Sequence, residues 1–106
     1  MTIIPVQTAI PIAYDRLSAF CERYHIRRMW LYGSVLREDF RPGSDIDILV
    51  EFDSEHVPAW EFYGSWREEL SALLGHPVDL TTPDSLRPWV RDRILSSAQV
   101  IYDRTA

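Results

Sequence analysis

The segment Asp45-Ile46-Asp47-Ile48-Leu49-Val50-Glu51-Phe52 limits what this chain can become more than any other stretch. It predicts a strand, on which successive side chains face opposite ways. Ile46, Ile48, Val50 and Phe52 then share an apolar face. Asp45 and Asp47 share the other, with Cα atoms about 6.5 to 7 Å apart. Two carboxylates on one face of an otherwise apolar strand repel each other and resist burial. The pair is stable in either of two settings: solvated at the start of a strand, or beside a cation that neutralises it. Hard cations such as Mg²⁺ take carboxylate oxygens and commonly keep water and substrate phosphates as their other ligands.

The rest of the chain supplies elements to build around that strand. The first twelve residues, interrupted by Pro5 and Pro11, read as an irregular arm or a short edge strand. Ala13 to Tyr24 predicts a helix, since Leu17, Phe20, Cys21 and Tyr24 recur at the spacing of one apolar face. Arg28 to Gly33 predicts a strand that is apolar on both faces and therefore central and covered on both sides. Ser34 is placed to cap a short helix over Val35 to Asp39, and Arg41-Pro42-Gly43-Ser44 is a turn signal. Ala59 to Leu74 predicts the longest helix, with Ala59, Phe62, Tyr63, Trp66, Leu70, Leu73 and Leu74 as its buried stripe and Gly75 at its C-cap. Pro77 to Thr81 predicts a third strand, Leu86 to Ser96 a helix broken near Pro88, and Ala98 to Tyr102 a last strand. Helices alternating with strands predict an α/β (α+β) fold, a small mixed sheet flanked by helices.

Composition narrows the function classes. At 106 residues the chain holds one domain, spanning 1–106. An apolar fraction of 46% beside 25% charged residues is that of an ordinary folded domain. Sixteen acids against eleven basic residues give a net charge of −5, which disfavours direct, non-specific nucleic-acid binding. One cysteine, Cys21, excludes an internal disulfide and any multi-cysteine zinc site. No apolar run approaches the ~20 residues of a membrane span, and Met1 to Ile12 lacks the positive charge of a signal peptide. A cytoplasmic location with no membrane contact is the resulting expectation.

Two further features give the aspartate pair a chemical setting. Gly33-Ser34 ends a strand and opens a helix, where glycine permits close backbone approach to a phosphate and free N–H groups and a hydroxyl can donate to it. The same dipeptide is also an ordinary strand-to-helix turn with a serine cap. Gly-Ser, ten residues, then Asp-x-Asp arises by chance about once in a thousand chains of this length, at ordinary residue usage. Asp79, between Val78 and Leu80, faces away from their shared side. If its strand neighbours that of Asp45 and Asp47, three carboxylates converge. They would suit a two-metal phosphoryl-transfer site, with Asp79 near the incoming nucleophile to assist its deprotonation. Arg37 lies three residues past Ser34, within reach of a phosphate or of Glu38 and Asp39.

Leu31-Tyr32-Gly33-Ser34-Val35-Leu36-Arg37 followed by Pro42-Gly43-Ser44-Asp45-Ile46-Asp47-Ile48-Leu49-Val50 resembles the polymerase-beta-type nucleotidyltransferase superfamily. With the short length and Leu74-Gly75-His76-Pro77-Val78-Asp79-Leu80, the chain resembles its minimal, MntA-like members, antitoxins of helical HEPN-family toxins. The resemblance runs from about Trp30 to Tyr102. It implies AMP transfer from ATP to a tyrosine hydroxyl of a HEPN toxin partner. By position, it implies that Gly33 and Ser34 hold the triphosphate, and Arg37, from its place three residues past the turn, is the third candidate nucleotide-binding residue. It assigns Asp45, Asp47 and Asp79 to catalysis and to Mg²⁺, two ions in all. Many members carry glycine after the arginine of this loop, where this chain has Glu38, an acid that would repel a triphosphate if it pointed inward. A non-catalytic antitoxin that neutralises its partner by masking it is the alternative. Small-molecule nucleotidylation is a third reading, usually needing a substrate domain for which this chain has no room. The histidines, His25, His56 and His76, show no metal-ligand spacing, and the four tryptophans read as packing residues.

Overall fold

The computed structural model describes residues 2–3, 8, 10–37, 40–41, 43–53 and 62–104. In chain order it contains β1 (Thr2–Ile3), α1 (Tyr14–Arg23), β2 (Ile26–Tyr32), a 3-10 turn over Gly33–Leu36 and β3 (Ile46–Phe52). There follow α2 (Phe62–Leu74), β4 (Val78–Thr81), a second 3-10 turn over Pro83–Ser85, α3 (Pro88–Ser97) and β5 (Gln99–Asp103). The strands form one mixed sheet in the order β1-β5-β2-β3-β4. All neighbours are antiparallel except β3 and β4, which run parallel. A parallel pair needs a crossover connection, and α2 lies in that connection. The expected small mixed sheet with flanking helices is the observed architecture.

Period-two alternation along β3 puts Ile46, Ile48 and Val50 into the core, each with no exposed surface. Met29 and Leu31 of β2 pair with Val50 and Ile48 and share that face. Helices α1 and α2 cover it with Leu17, Phe20 and Cys21 from one and Trp66, Leu70 and Leu74 from the other. Trp66 is the keystone, its ring meeting Phe20 at 5.8 Å, Tyr24 at 5.9 Å and Phe52 at 5.4 Å. Truncating a buried aromatic of this kind to alanine costs about 3–5 kcal/mol. Gly75 ends α2 at φ +74°, donating its N–H to the Ser71 carbonyl at 2.8 Å.

Four expectations are corrected. The turn after β2 begins at Gly33, so Ser34 lies inside it and makes no capping bond; Tyr32, in extended backbone, takes the cap position. That turn ends at Leu36, and residues 38 and 39 lie outside the described residues, as do 59–61 at the expected start of the long helix. The last helix starts at Pro88 itself, because a residue before proline is driven out of the helical region and Arg87 is extended at ψ 144°. Finally, β2 is central but is fully buried on one face only. Trp30 and Tyr32 stay half-buried, since α3 contributes no buried residue and Trp89 is 63% exposed rather than packed. Among the described residues, no helix is long and apolar enough to cross a membrane.

Candidate active site

The second face of the sheet holds the candidate site residues. Strand register makes Tyr32 the partner of Asp47, and Asp47 the partner of Asp79. Tyr32, Asp47 and Asp79 therefore form one row across β2, β3 and β4. Directly opposed residues on neighbouring strands hold their Cβ atoms about 4.5–5.5 Å apart. Asp45 lies just before β3, two residues from Asp47, and is exposed like Asp79. The convergence expected of Asp45, Asp47 and Asp79 is met in placement. Among the described residues, however, no three such side chains are already gathered into an ion-holding cluster.

The electrostatics of the row centre on Asp47. Burial, then the charges of Asp79 and Asp45, raise its carboxyl above the usual carboxylate range, while Arg37 pulls the other way. An aspartate placed between two others, with one arginine in range, calls for added positive charge. Tyr32 is likewise pushed up, first by burial and then by the charges of Asp47 and Asp79, while the Thr81 side chain acts in the opposite direction.

Gly33 is required here for a reason the sequence concealed. Its φ is +78°, and a Cβ built on it would meet Asp47 Oδ2 at 2.3 Å. The space that glycine opens is filled by the central carboxylate, so the Gly-Ser turn and the Asp-x-Asp strand interlock. Ser34 is half-buried within the turn and accepts the Arg37 N–H on its carbonyl at 2.9 Å. Arg37 itself is exposed. The turn thus brings a hydroxyl and a guanidinium to the edge of the carboxylate row.

Tyr32 and Thr81 escaped the sequence reading. Tyr32 stands directly before Gly33, but its place in the row emerges only from the β2–β3 register. The other candidates behave as packing groups: Cys21 is buried and its thiol is pushed far up by desolvation, and His76 meets the Phe40 ring edge-on at 5.3 Å.

Comparison with known proteins bears on the family and the fold. The family model of the nucleotidyltransferase domain matches residues 16–101. Protein adenylyltransferase MntA of Thermococcus cleftensis is 36% identical over 81 residues, covering 76% of this chain and 78% of that protein. A crystal structure of a toxin-antitoxin with AMP-PNP matches with a TM-score of 0.71 at 16% identity, over 87% of this chain and 74% of that one. A structure of tri-AMPylated Shewanella oneidensis HEPN toxin in complex with MNT antitoxin gives 0.63 at 16% identity, over 87% and 71%. At such identities the two structures show a shared fold.

Proposed function

This chain belongs to the nucleotidyltransferase domain family, and from that premise we propose that it transfers AMP from ATP, with Mg²⁺, to a tyrosine hydroxyl of a HEPN-family toxin, acting as its antitoxin. The observation that carries the reading is the row in which Asp47 faces Asp79 across a parallel strand pair, with Asp45 beside it and Gly33 closed against it. A protein adenylyltransferase relative and the fold shared with toxin-bound antitoxins support the same direction.

The donor set fits Mg²⁺: three carboxylates of one charge, hard oxygen ligands on one face, and a central aspartate whose ionised form its neighbours disfavour. Bound there, the ions would supply positive charge to offset the carboxylates and the triphosphate. Asp45, Asp47 and Asp79 are the residues that would hold them. The Ser34 hydroxyl and the N–H groups of its turn donate to phosphate oxygens, and Arg37 adds a positive charge. Asp79, exposed on the edge strand, takes the phenolic proton as the tyrosine oxygen attacks the α-phosphorus and pyrophosphate leaves. Such chemistry is positioning and electrostatics, with little covalent work for the protein.

Intact-mass measurement tests the reading. A HEPN toxin incubated with this protein, ATP and Mg²⁺ gains the mass of AMP, and gains none with Asp45→Asn. A toxin silenced with no change in mass would instead establish the masking alternative.

A further inference from the structure

Helix α3 stands apart from the other two helices. Strands β3 and β5 both run antiparallel to β2, and β4 runs parallel to β3, so β4 and β5 are parallel and α3 is their crossover. The step from β4 to β5 runs back across the sheet, opposite to the step from β3 to β4. Right-handed crossovers therefore set α3 on the face opposite α2, the face of the carboxylate row. Leu49, two residues past Asp47 on that face, has no exposed surface, as a helix laid over the middle of the face requires. The seat of α3 is shallow: Val90, Ile94 and Leu95 are half-buried, and none of its residues is buried. Trp89, Arg93 and Ser96, at the spacing of one helix face, line its exposed side.

Two properties mark that side. Among the described residues, Trp89 is the one exposed large apolar side chain. An indole left in water forgoes the burial of a large apolar area, and tryptophan is enriched at the anchor positions of protein interfaces. From Arg87 to Ser97 there are three arginines against one aspartate, in a chain of net charge −5. Arg23, Arg27, Arg28 and Arg104 are each paired with a carboxylate, whereas among the described residues Arg87, Arg91 and Arg93 form no ion pair. The occupant follows from the position of the site. Helices α1 and α2 close the first face, so a protein that brings a tyrosine hydroxyl to the row lies over the second face and meets α3. The Ser97 end of α3 leads into Gln99, which pairs with Leu31 beside Tyr32 of the row. Trp89 stands about 12 Å back along the helix, too far to touch the reacting atoms. It still falls well inside a protein footprint of about 800 Å² per partner.

We propose that the exposed side of α3, with Trp89 as anchor and Arg87 and Arg93 at its rim, is the docking surface for the HEPN-family toxin, which offers it an apolar pocket edged by carboxylates. The inference rests on the reading of that toxin as the acceptor, and it adds the surface that recognises it.

Titration calorimetry with the HEPN toxin, in the absence of ATP, measures the docking, and steady-state AMP transfer measures its consequence. Trp89→Ala weakens toxin binding at least about thirtyfold, the loss that marks an anchor residue. The KM for toxin rises in step, while kcat at saturating toxin and the KM for ATP move less than about twofold. The melting temperature is unchanged, because the indole is exposed. Arg93→Glu slows association, by more at low salt than at high salt. Arg16→Glu, exposed on α1 over the other face, leaves toxin binding unchanged. Toxin binding that ignores both α3 variants, or that weakens with Arg16→Glu instead, overturns the surface. So does a Trp89→Ala variant that loses self-association in sedimentation while its toxin binding holds, since the occupant is then a second copy of this chain. Toxin that binds through Trp89 yet gains no AMP keeps the surface and removes the catalytic reading. Toxin that gains AMP with the same KM from wild type and Trp89→Ala keeps the catalysis and removes the surface. A toxin that neither binds nor gains AMP overturns both.

Discussion

Asp47→Asn separates stability from function at one atom's cost. Asp47 lies opposite Asp79 on the neighbouring parallel strand, which sets a working separation of about 5 Å from the strand spacing. At an effective dielectric near 20 that repulsion is about 3 kcal/mol, and near the value of water it falls below about 1 kcal/mol. Asp79 is exposed and Asp47 half-buried, so screening holds the net effect near the lower figure. The asparagine is nearly isosteric and removes the repulsion. The variant gains about 1 kcal/mol at pH 7, a rise in Tm of roughly 4–8 °C for a domain of this size. The sign with pH follows from the raised carboxyl of Asp47. A carboxyl raised in the fold favours folding when protonated, and that contribution is lost as pH rises through its folded value. The stabilisation by Asn therefore shows at neutral pH and disappears by about pH 3, below the unfolded aspartate value. AMP transfer by the same variant falls at least about a hundredfold, as removal of a major electrostatic group does. Thermal melts at the two pH values and a transfer assay measure both. A variant that melts lower than wild type at pH 7 would refute the reasoning, because Asp47 would then be an acceptor the fold depends on.

Gly33→Ala sets a methyl group 2.3 Å from Asp47 Oδ2 at a positive φ, so it destabilises by about 1–3 kcal/mol in urea titration and loses transfer. Ser34→Ala lowers kcat/KM by an amount equivalent to about 1–3 kcal/mol while Tm stays unchanged, since Ser34 makes no capping bond; a fall in Tm without a kinetic effect would return Ser34 to a structural role. Cys21, fully buried with its thiol pushed up by desolvation, reacts with an aromatic disulfide reagent only on unfolding, and a fast native reaction would show an open α1 face.

The carboxylates were legible in the sequence because strand alternation is local. Ile46, Ile48 and Val50 fix the apolar side of β3, and Asp45 and Asp47 must take the other. Asp79 could be assigned a face, but its neighbour depended on sheet order, which no local pattern encodes. The same limit hid Tyr32, whose partnership with Asp47 needs the β2–β3 register. Gly33 showed its importance by residue type, yet the contact that demands glycine comes from a side chain fourteen positions later. Ser34 misled because serine at a strand-to-helix turn is the commonest capping pattern, whereas the turn here begins one residue earlier. Apolar residues on both sides of β2 implied cover on both faces, but α1 and α2 share one face, and Trp30 and Tyr32 are left half-buried.

The central claim is that this protein works on its partner as a catalyst. A titration at fixed HEPN toxin concentration, with ATP and Mg²⁺ in excess, tests it most directly. Catalysis predicts that a trace of this protein inactivates a large molar excess of toxin. The toxin then stays inactive after the protein is removed, and Asp45→Asn abolishes the effect. Neutralisation that saturates at one-to-one mixing, needs no ATP, survives Asp45→Asn and reverses on separation would contradict it.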